Sequence, residues 1–417
     1  MQLKRVVVTG IGAITPLGKT PDEYWEGLVN GVSGADFIKQ FDTSKFKTRF
    51  ACEVKDFEPT QYLDKKEARK IDRFTQFALI VSDQAVKDAG LTPENFNPDR
   101  AGVIFASGIG GLITFQEEVI GFAQGDGTPR FNPFFIPKMI LDIAAGQISM
   151  RHGLRGPNYA VVSACASSTN AIIDAFDNIR LGKADLILTG GSEAVISAAG
   201  VGGFNAMKAL SERNDDPKTA SRPFDKERDG FVMGEGAGML VLESLEHALA
   251  RGAKIYCEIA GGGATADAHH ITAPHPEGLG ATNVMRTALA DAGMQPGDID
   301  YINVHGTSTP LGDIAETKAI LNVFGEHAYN LNISSTKSMT GHCLGAAGAL
   351  EAIASIMAVV NDEVPPTINH FTDDPELDPR LNFTFNTAQK REVRAALSNT
   401  FGFGGHNASV IVKKFKA

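Results

Sequence analysis

Cys165 stands between a segment typical of a strand, 158–162, and an Ala-rich segment typical of a helix, 167–181. A thiol in the first turn of a helix lies near about half a unit of positive charge and unbonded backbone N–H groups, which favour a thiolate and can bind an oxyanion. Its neighbours are small and leave room for a substrate. The sequence makes Cys165 a candidate nucleophile, with an ordinary buried cysteine as the alternative.

Two histidines occupy similar settings elsewhere in the chain. His305 follows an apolar run and opens a loop of Gly and hydroxyl residues, which is where α/β proteins usually build their sites. His342 opens an Ala-rich helix-like segment, and Lys337 lies five positions before it. Either histidine alone could be a hydrogen-bonded loop residue. Together with Cys165, however, they indicate one shared site.

Three other patterns are weaker. Segment 6–12 resembles the start of a dinucleotide-binding fingerprint, but Thr15 occupies the third glycine position and a proline follows. The spacing from Cys165 to His305 fits papain-like proteases, yet their local cysteine signature is absent. Four clustered residues have no standard metal-ligand spacing and are better explained as a polar loop: Asp267, His269, His270 and His275.

Charge and cysteine usage exclude several classes of protein. The 417 residues carry 39 Lys and Arg against 49 Asp and Glu, a net charge of −10, which argues against a nucleic-acid partner. Four scattered cysteines without a CxxC pair indicate neither a disulfide framework nor a cysteine zinc site. The basic stretch 65–70 is either a solvated helix face or a contact for an acidic macromolecule.

The sequence gives no reason to expect a membrane protein. Its N-terminus enters a strand-like run without the apolar core and cleavage site of a signal peptide. The most apolar long window, 344–360, is interrupted by Glu351 and Ser355, and a buried helix explains it better than a membrane span. We therefore expect a cytoplasmic protein with no membrane partner.

The elements that must position these residues alternate between strands and helices, which is typical of an α/β protein. Strand candidates are 5–9, 101–107, 158–162, 186–190, 238–242, 256–261, 301–305 and 332–334, with more strands in 382–412. Helix candidates are 75–88, 167–181, 245–250, 281–292, 313–324 and 345–359. Cys165, His305 and His342 all fall in loops between such elements.

An internal comparison predicts two halves with one plan. Segments 158–180 and 332–359 both read as a strand, a loop with one reactive side chain, and an Ala-rich helix. Such a repeat predicts two halves around a shared site. We place the boundary between residues 1–255 and 256–417, with no low-complexity linker between them.

Five segments together closely resemble the β-ketoacyl-acyl-carrier-protein synthases of the thiolase-like condensing enzymes. They are VVTGIGAITPLG (7–18), VVSACAS (161–167), VHGTSTPLGD (304–313), KSMTGHCLGAAG (337–348) and SNTFGFGGHN (398–407). The likeness covers almost the whole chain in family order, and it is strongest to the type II condensing enzymes of bacterial fatty acid synthesis. It implies a thiolase-like α/β fold of two pseudo-duplicated halves in five αβαβα layers, assembled as a homodimer.

The resemblance also implies a reaction, a decarboxylating Claisen condensation that extends an acyl chain. Cys165 would carry the acyl group as a thioester, whose oxygen the backbone N–H groups of Cys165 and Phe403 would hold. His305 and His342 would donate hydrogen bonds to the enolate oxygen left when malonyl-carrier protein loses carbon dioxide. Lys337 would orient His342 and set the electrostatics. Three carboxylates would surround these groups: Asp313, Glu316 and Glu351.

Further positions match the substrate contacts of the family. Hydroxyls implied to bind the phosphopantetheine amides are Thr307, Thr309 and Thr272. The acyl pocket and its gate would be formed by Ile109, Phe204, Phe401 and Phe403. A basic entrance for the acidic acyl-carrier protein would be formed by Lys65, Arg69 and Lys208. Because phosphopantetheine delivers the substrates, we expect no resident cofactor and no metal.

Several related classes are separated by single residues. Thiolases use a second catalytic cysteine, but Cys343 lies in the motif of the two-histidine synthases, so we expect it to serve packing. The type III starter synthases pair one histidine with Asn, which the His342 motif argues against. A type I synthase or a polyketide ketosynthase with the same chemistry stays open. So does a silent chain-length-factor-like partner, a class that usually lacks the nucleophile. Cys343 and Thr400 depart from the usual family residues.

Overall fold

The computed structural model describes residues 3–416 of the chain, and it contains one ten-stranded sheet and two short ribbons. The strands in chain order are β1 (Val6–Ile14), β2 (Asp36–Phe37), β3 (Phe50–Ala51), β4 (Ala101–Ala106), β5 (Asn158–Val161), β6 (Leu186–Glu193), β7 (Gly236–Ser244), β8 (Cys257–Ala266), β9 (Tyr301–Asn303), β10 (Asn332–Ser334), β11 (Glu363–Val364), β12 (Gln389–Lys390), β13 (Ala395–Gly402) and β14 (His406–Lys413). The ribbons pair β2 with β3 and β11 with β12.

The helices lie mostly between these strands. In chain order they are α1 (Pro21–Val29), α2 (Lys65–Ala68), α3 (Arg73–Asp88), α4 (Leu112–Ala123), α5 (Phe135–Met139), α6 (Ile143–His152), α7 (Ser167–Arg180), α8 (Ala198–Ala206), α9 (Leu245–Ala250), α10 (Leu279–Ala292), α11 (Pro310–Phe324), α12 (Lys337–Thr340) and α13 (Ala347–Asn361). A short 3-10 turn, Ala164–Ala166, carries Cys165 directly before α7.

The ten-stranded sheet repeats one topology twice. The first half runs in the spatial order β5-β4-β6-β7-β1, and the second runs β10-β9-β13-β14-β8. In each half the first two pairings of that order are parallel and the last two are antiparallel. If the five sheet strands of each half are numbered in chain order, both halves have the same spatial order: third, second, fourth, fifth, first. The predicted pseudo-duplication is confirmed.

Helices divide the halves into layers. Helices α7 and α13 pack against each other and against strands of both halves, around the largest apolar cluster. On the far side of the first half lie α3 and α6, and on the far side of the second lie α10 and α11. Strands β1 and β8 pair antiparallel, with Val6 opposite Ile259, and join the halves at one edge. This is the predicted five-layered αβαβα arrangement.

Helix α13 is the most apolar helical segment. With the turn before it, it forms the run Leu344–Asn361, which is long and apolar enough to cross a membrane by length and composition. However, 83% of this run is buried inside the protein, where it packs on α7, β7 and β13. The predicted buried helix is therefore what the structure shows.

Strand β1 is longer than predicted, and two of its glycines let helix α3 lie directly on it. A Cβ atom at Gly12 would stand 2.1 Å from the backbone oxygen of Val81 in α3, and one at Gly10 would stand 2.4 Å from that of Ala85. Glycine, usually unfavourable in a strand, here permits close helix–sheet packing. The predicted boundary between residues 255 and 256 falls in the segment between α9 and β8 and stays a prediction.

Candidate active site

The fold places Cys165 where the first half meets the second. The 3-10 turn that carries it follows β5 and leads into α7, and Ala164 has a left-handed φ of 51°. Ser167 fixes the turn, because its Oγ accepts from the Ser163 N–H at 2.8 Å and donates to the Ala164 carbonyl at 2.6 Å. Cys165 is 7% exposed and lines a cavity.

Two histidines from the second half complete a compact group with this thiol. His342 Nε2 lies 3.0 Å from Cys165 Sγ. The rings of His305 and His342 are almost perpendicular, at 88°, with their centres 5.3 Å apart. The Nδ1 atoms of both histidines are buried without a hydrogen-bond partner among residues 3–416. The structure thus brings together the three residues that the sequence singled out.

Burial and one ammonium group determine the charges of this group. Burial raises the pKa of the Cys165 thiol to about 12, and the charge of Lys337 and the backbone N–H of Phe403 act in the opposite direction. Burial first, and then Lys337, lowers the pKa of His305 and of His342 well below its usual range. Burial therefore favours the neutral form of the thiol and of both imidazoles, and it acts against the thiolate that a helix N-terminus favours.

The buried ammonium of Lys337 forms an ion pair with Glu351, and both residues are 2% exposed. Burial raises the pKa of the Glu351 carboxyl to about 7, and Lys337 acts against this rise. The Lys337 side chain is therefore fixed within the protein, from where its charge acts on Cys165 and on both histidines. Lys337 thus lies against Glu351, one of the three predicted carboxylates, and its role in orienting His342 stays a prediction.

The two other predicted carboxylates hold backbone segments. Glu316 accepts from the N–H groups of His305 at 2.9 Å and Gly306 at 2.8 Å, which fixes the loop that carries His305. Asp313 accepts from the Phe224 N–H at 3.0 Å and lies 3.4 Å from the Arg228 guanidinium. Burial raises the pKa of Glu316 to about 7 and that of Asp313 to about 6.

The glycine-rich loop after β13 reaches the 3-10 turn Ala164–Ala166 that carries Cys165, here named the nucleophile turn. The backbone N–H of Phe403 lies near enough to the Cys165 thiol to act against the rise in its pKa. A Cβ atom at Gly402 would stand 2.7 Å from the Ser163 carbonyl oxygen and 3.1 Å from the Cys165 nitrogen. The two backbones are thus in contact, which is the arrangement needed for two N–H donors to share one oxyanion.

A cavity of about 570 Å³ lies in front of these groups. Every residue predicted for phosphopantetheine or acyl binding lines it: Ile109, Phe204, Thr272, Thr307, Thr309, Phe401 and Phe403. The hydroxyls of Thr307 and Thr309 are 3.0 Å apart, and the Phe401 ring centre is 5.5 Å from that of His305. The cavity therefore combines an apolar wall with hydroxyl groups beside the reactive residues.

The predicted basic entrance is only partly at the cavity. Lys208 is exposed and lines it, whereas Lys65 and Arg69 lie exposed on α2 and at its C-terminal cap, outside the lining. In the predicted polar loop that contains His269, His270 and His275, the ring centres of His269 and His275 are 5.1 Å apart. Within residues 3–416, no group of three or more His, Cys, Asp or Glu side chains is arranged to hold a metal ion.

Sequence reasoning missed one buried carboxylate at the site. Glu193 ends β6, is completely buried, and accepts backbone hydrogen bonds beside the cavity. An acidic residue directly after Gly190, Gly191 and Ser192 at the end of an apolar strand was the available signal.

Comparison with known proteins agrees with this geometry. The sequence model of the family described as "Beta-ketoacyl synthase, N-terminal domain" matches residues 3–248, and that of "Beta-ketoacyl synthase, C-terminal domain" matches residues 256–371. The chain is 51% identical to the 3-oxoacyl-(acyl-carrier-protein) synthase 2 of Synechocystis sp., over 100% of this chain and 99% of the relative. It is 51% identical to the protein of the same name from Staphylococcus aureus, over all of both chains.

Solved structures show the same architecture. A β-ketoacyl synthase from Burkholderia phymatum superimposes with a TM-score of 0.92 at 36% identity, covering 99% of this chain and 100% of that one. A ketosynthase solved in complex with its type II polyketide acyl-carrier protein gives a TM-score of 0.90 at 33% identity, with the same coverage. Both the fold and the full-length sequence match therefore lead to one conclusion. The chain belongs to the β-ketoacyl synthase family.

Proposed function

We propose that the protein condenses an acyl group, held as a thioester on Cys165, with malonyl-acyl-carrier protein to give 3-oxoacyl-carrier protein and carbon dioxide. This is the chain-elongation step of bacterial type II fatty acid synthesis. The observation that carries the proposal is the 3.0 Å contact between Cys165 Sγ and His342 Nε2, with His305 beside it, at the wall of a 570 Å³ cavity. The 51% identity to fatty acid synthases over the full length favours this substrate over a polyketide.

The first half-reaction transfers the acyl group to Cys165. As Sγ forms a bond to the thioester carbon, its proton passes to His342 Nε2, so that no free thiolate has to build up in the buried site. The backbone N–H groups of Cys165 and Phe403 hold the tetrahedral oxyanion. The carrier thiol then leaves with that proton, and the acyl-enzyme remains.

The second half-reaction forms the carbon–carbon bond. Malonyl loses carbon dioxide, and the electron pair of the broken bond forms an enolate whose oxygen accepts hydrogen bonds from His305 and His342. Neutral imidazoles each provide one N–H donor for this purpose, and His342 does so as the tautomer protonated at Nε2. The enolate carbon then attacks the Cys165 thioester. The departing sulfur takes up one proton from water that enters as the product leaves, which is the proton that the condensation consumes overall. The cavity keeps this carbanion away from bulk water.

We also propose acyl-carrier protein as the partner that brings both substrates. The related polyketide ketosynthase was solved with its acyl-carrier protein, and this chain keeps exposed cations at Lys65, Arg69 and Lys208. Since the chain carries a net charge of −10, an acidic carrier has to be attracted by such local positive charge. The reaction as written needs no resident cofactor, and we place it in the cytoplasm.

A homodimer is the assembly that fits the surface. Strand β5 is the outer edge of the sheet, where Tyr159 is 39% exposed and Val162, just after it, is 56% exposed. Helices α4 and α5 and the segment between them add exposed aromatic and aliphatic side chains: Phe115, Val119, Ile120, Phe122, Phe131, Phe134 and Ile136. Edges and apolar faces of this kind are normally covered. A second copy that pairs through β5 covers both.

The test replaces the nucleophile, Cys165, and, as a control, a cysteine of the other half, Cys343. Cys165→Ala should lose condensation of acyl- and malonyl-carrier protein by more than about a thousandfold, because no thioester can form. Cys343→Ala should retain activity, since Cys343 does not line the cavity and its Sγ donates to the backbone carbonyls of Glu235 and Thr340. Product formation is measured by mass spectrometry of the carrier protein. Wild-type activity in Cys165→Ala would show that the proposed chemistry is wrong.

A further inference from the structure

Glu193 is a buried carboxylate for which the two half-reactions provide no role. It ends β6 and has no exposed surface. Five neutral donors bind its oxygens: Ser107 Oγ at 3.0 Å, Ile109 N at 3.1 Å and Gly110 N at 3.2 Å on Oε1, and Gly108 N at 2.8 Å and Gly345 N at 3.0 Å on Oε2. A carboxylate with this many donors acts as a fixed anchor for the segments that carry them.

These donors belong to two segments from opposite halves of the fold. The first, residues 107–110 after β4, is named the pocket loop; its Ile109 is 37% exposed and lines the cavity. The second, residues 343–346 directly after His342, is named the histidine turn; its Leu344 lines the same cavity and has a left-handed φ of 47°. One side chain therefore joins the wall of the acyl cavity to the segment that follows a reactive histidine.

The two segments touch backbone to backbone at this point. A Cβ atom at Gly345 would stand 2.1 Å from the Gly108 nitrogen, and a Cβ atom at Gly108 would stand 2.7 Å from Glu193 Oε2. The N–H groups of both glycines converge on that one oxygen. Without an acceptor there, two buried donors would be left unpaired, which is costly. The contact thus needs an acceptor at this position.

The second half contains a matching arrangement. The loop after β9 stands in the place that the pocket loop has after β4, and Glu316 accepts from its His305 and Gly306 N–H groups. Each half therefore uses one buried glutamate to hold the loop after its second sheet strand. In the first half that loop forms the cavity wall, and in the second it carries a reactive histidine.

We propose that Glu193 is a positioning residue that ties the pocket loop to the histidine turn and thereby determines how well the cavity accepts long acyl chains. This inference rests on the proposed acyl transfer to Cys165. It assigns Glu193 no contact with substrate. Its effect is transmitted through Ile109 and Leu344, the side chains that these two segments present to the cavity.

The experiment uses the full-length enzyme with Glu193→Gln. This change keeps the shape of the side chain but turns one oxygen into an NH₂ donor that must face backbone N–H groups. We expect the second-order rate of Cys165 acylation to fall about tenfold or more with myristoyl-carrier protein, as buried amides lose a charged acceptor. With butyryl-carrier protein, which reaches less of the wall, the loss should be at least several times smaller. Acylation is followed by mass spectrometry.

Asp72→Asn is the matched control. Asp72 is also a buried carboxylate of the first half that accepts backbone N–H bonds, from Phe74 and Thr114, but it does not line the cavity. In Asp72→Asn, any fall in the rate of Cys165 acylation should be the same for myristoyl- and butyryl-carrier protein. Equal losses for both chains in Glu193→Gln would overturn the inference. Failure of the wild type to be acylated by either substrate would instead overturn the proposed function.

A milder variant covers the case in which Glu193→Gln does not fold. Ser107→Ala removes one of the five donors and leaves the carboxylate in place. It should show a smaller loss of acylation in the same direction, greater for myristoyl- than for butyryl-carrier protein. An unchanged ratio between the two substrates in a folded Ser107→Ala enzyme would count against the role of Glu193.

Discussion

Cys165 lies among charges whose effects on its pKa have opposite signs. The Lys337 ammonium lowers this pKa, whereas burial raises it most strongly and the carboxylates of Glu193 and Glu351 raise it further. A raised pKa keeps the thiol protonated over a wider pH range, and only the thiolate reacts quickly with alkylating agents. The pH dependence of alkylation therefore reports directly on these charges.

We predict that alkylation of Cys165 by iodoacetamide continues to increase with pH above about 8.5, the ordinary thiol value. Removing the positive charge in Lys337→Met should move the midpoint to higher pH by about one unit, and Glu351→Gln should move it lower. The rate is measured for the Cys165 peptide by mass spectrometry. Cys257, which has no exposed surface, serves as the unreactive reference within the same protein. Midpoints that shift in the same direction in both variants would contradict this assignment of charges.

Among single residues, the sequence predicted those whose function can be inferred from neighbouring residues in the chain. Cys165, His305 and His342 each lie in a short motif that combines the reactive residue with the glycines and small residues its loop needs. Glu193 could not be found in this way, because its partners lie 83 to 86 residues away in the pocket loop and 152 away in the histidine turn. The sequence also did not predict the raised pKa of the Cys165 thiol, because this pKa depends on how the two halves bury the thiol.

Among the elements, the glycine-rich loop after β13 determines where the oxyanion donor lies. Gly402 lets this loop touch the nucleophile turn, since a Cβ atom there would stand 2.7 Å from the Ser163 carbonyl oxygen. Any side chain at Gly402 must push the two segments apart and move the Phe403 N–H away from Cys165.

We predict that Gly402→Ala lowers kcat for condensation by about a hundredfold, the usual cost of losing one oxyanion donor. Thermal unfolding should show that the enzyme is still folded. Gly297→Ala is the control, because a Cβ atom there meets no atom within 4 Å among residues 3–416 and the residue is exposed. Equal kcat values in the two variants would show that the loop contact does not matter for catalysis.

Within residues 3–416, every strand of the large sheet was predicted from local patterns, but seven helices were not: α1, α2, α4, α5, α6, α8 and α12. Helix α9 has the predicted bounds, and α7 differs by one residue at its end. Helix α8 was not predicted, because three of its residues, Gly200, Gly202 and Gly203, are poor helix formers. Only packing in the folded protein makes that segment helical. Helix α4 was missed as well, since its apolar side chains include an exposed set rather than one buried stripe.

For the whole molecule, duplication explains why the site lies where it does. Each half contributes loops from the same end of its parallel strands, and the two halves meet there around α7 and α13. The nucleophile turn and the histidine turn follow the third sheet strand of their halves, β5 and β10. The sequence predicted this relation from two similar segments, but the repeated strand order and the join between β1 and β8 required the structure.

Charge is the other property of the whole molecule that matters for function. We predict that Lys65→Glu/Arg69→Glu raises KM for acyl-carrier protein at least about tenfold, because an acidic carrier then meets negative charge. KM for acyl-pantetheine, which lacks the carrier protein, should not change. Lys87→Glu/Lys390→Glu is the matched control, with the same change in net charge at exposed lysines elsewhere. A similar rise of KM for acyl-carrier protein in both double variants would contradict a docking role of α2.

The central claim is that one thiol, Cys165, carries the acyl chain and then gives it to the malonyl-derived carbon. Single-turnover quenching with peptide mass mapping tests it most directly. The enzyme is mixed with decanoyl-carrier protein, and one sample is quenched at once. The rest is first chased with malonyl-carrier protein and then quenched at successive times. We predict a decanoyl adduct on the Cys165 peptide that disappears as 3-oxododecanoyl-carrier protein forms. Product formation without this adduct, or an adduct on another residue that malonyl-carrier protein discharges, would contradict the account.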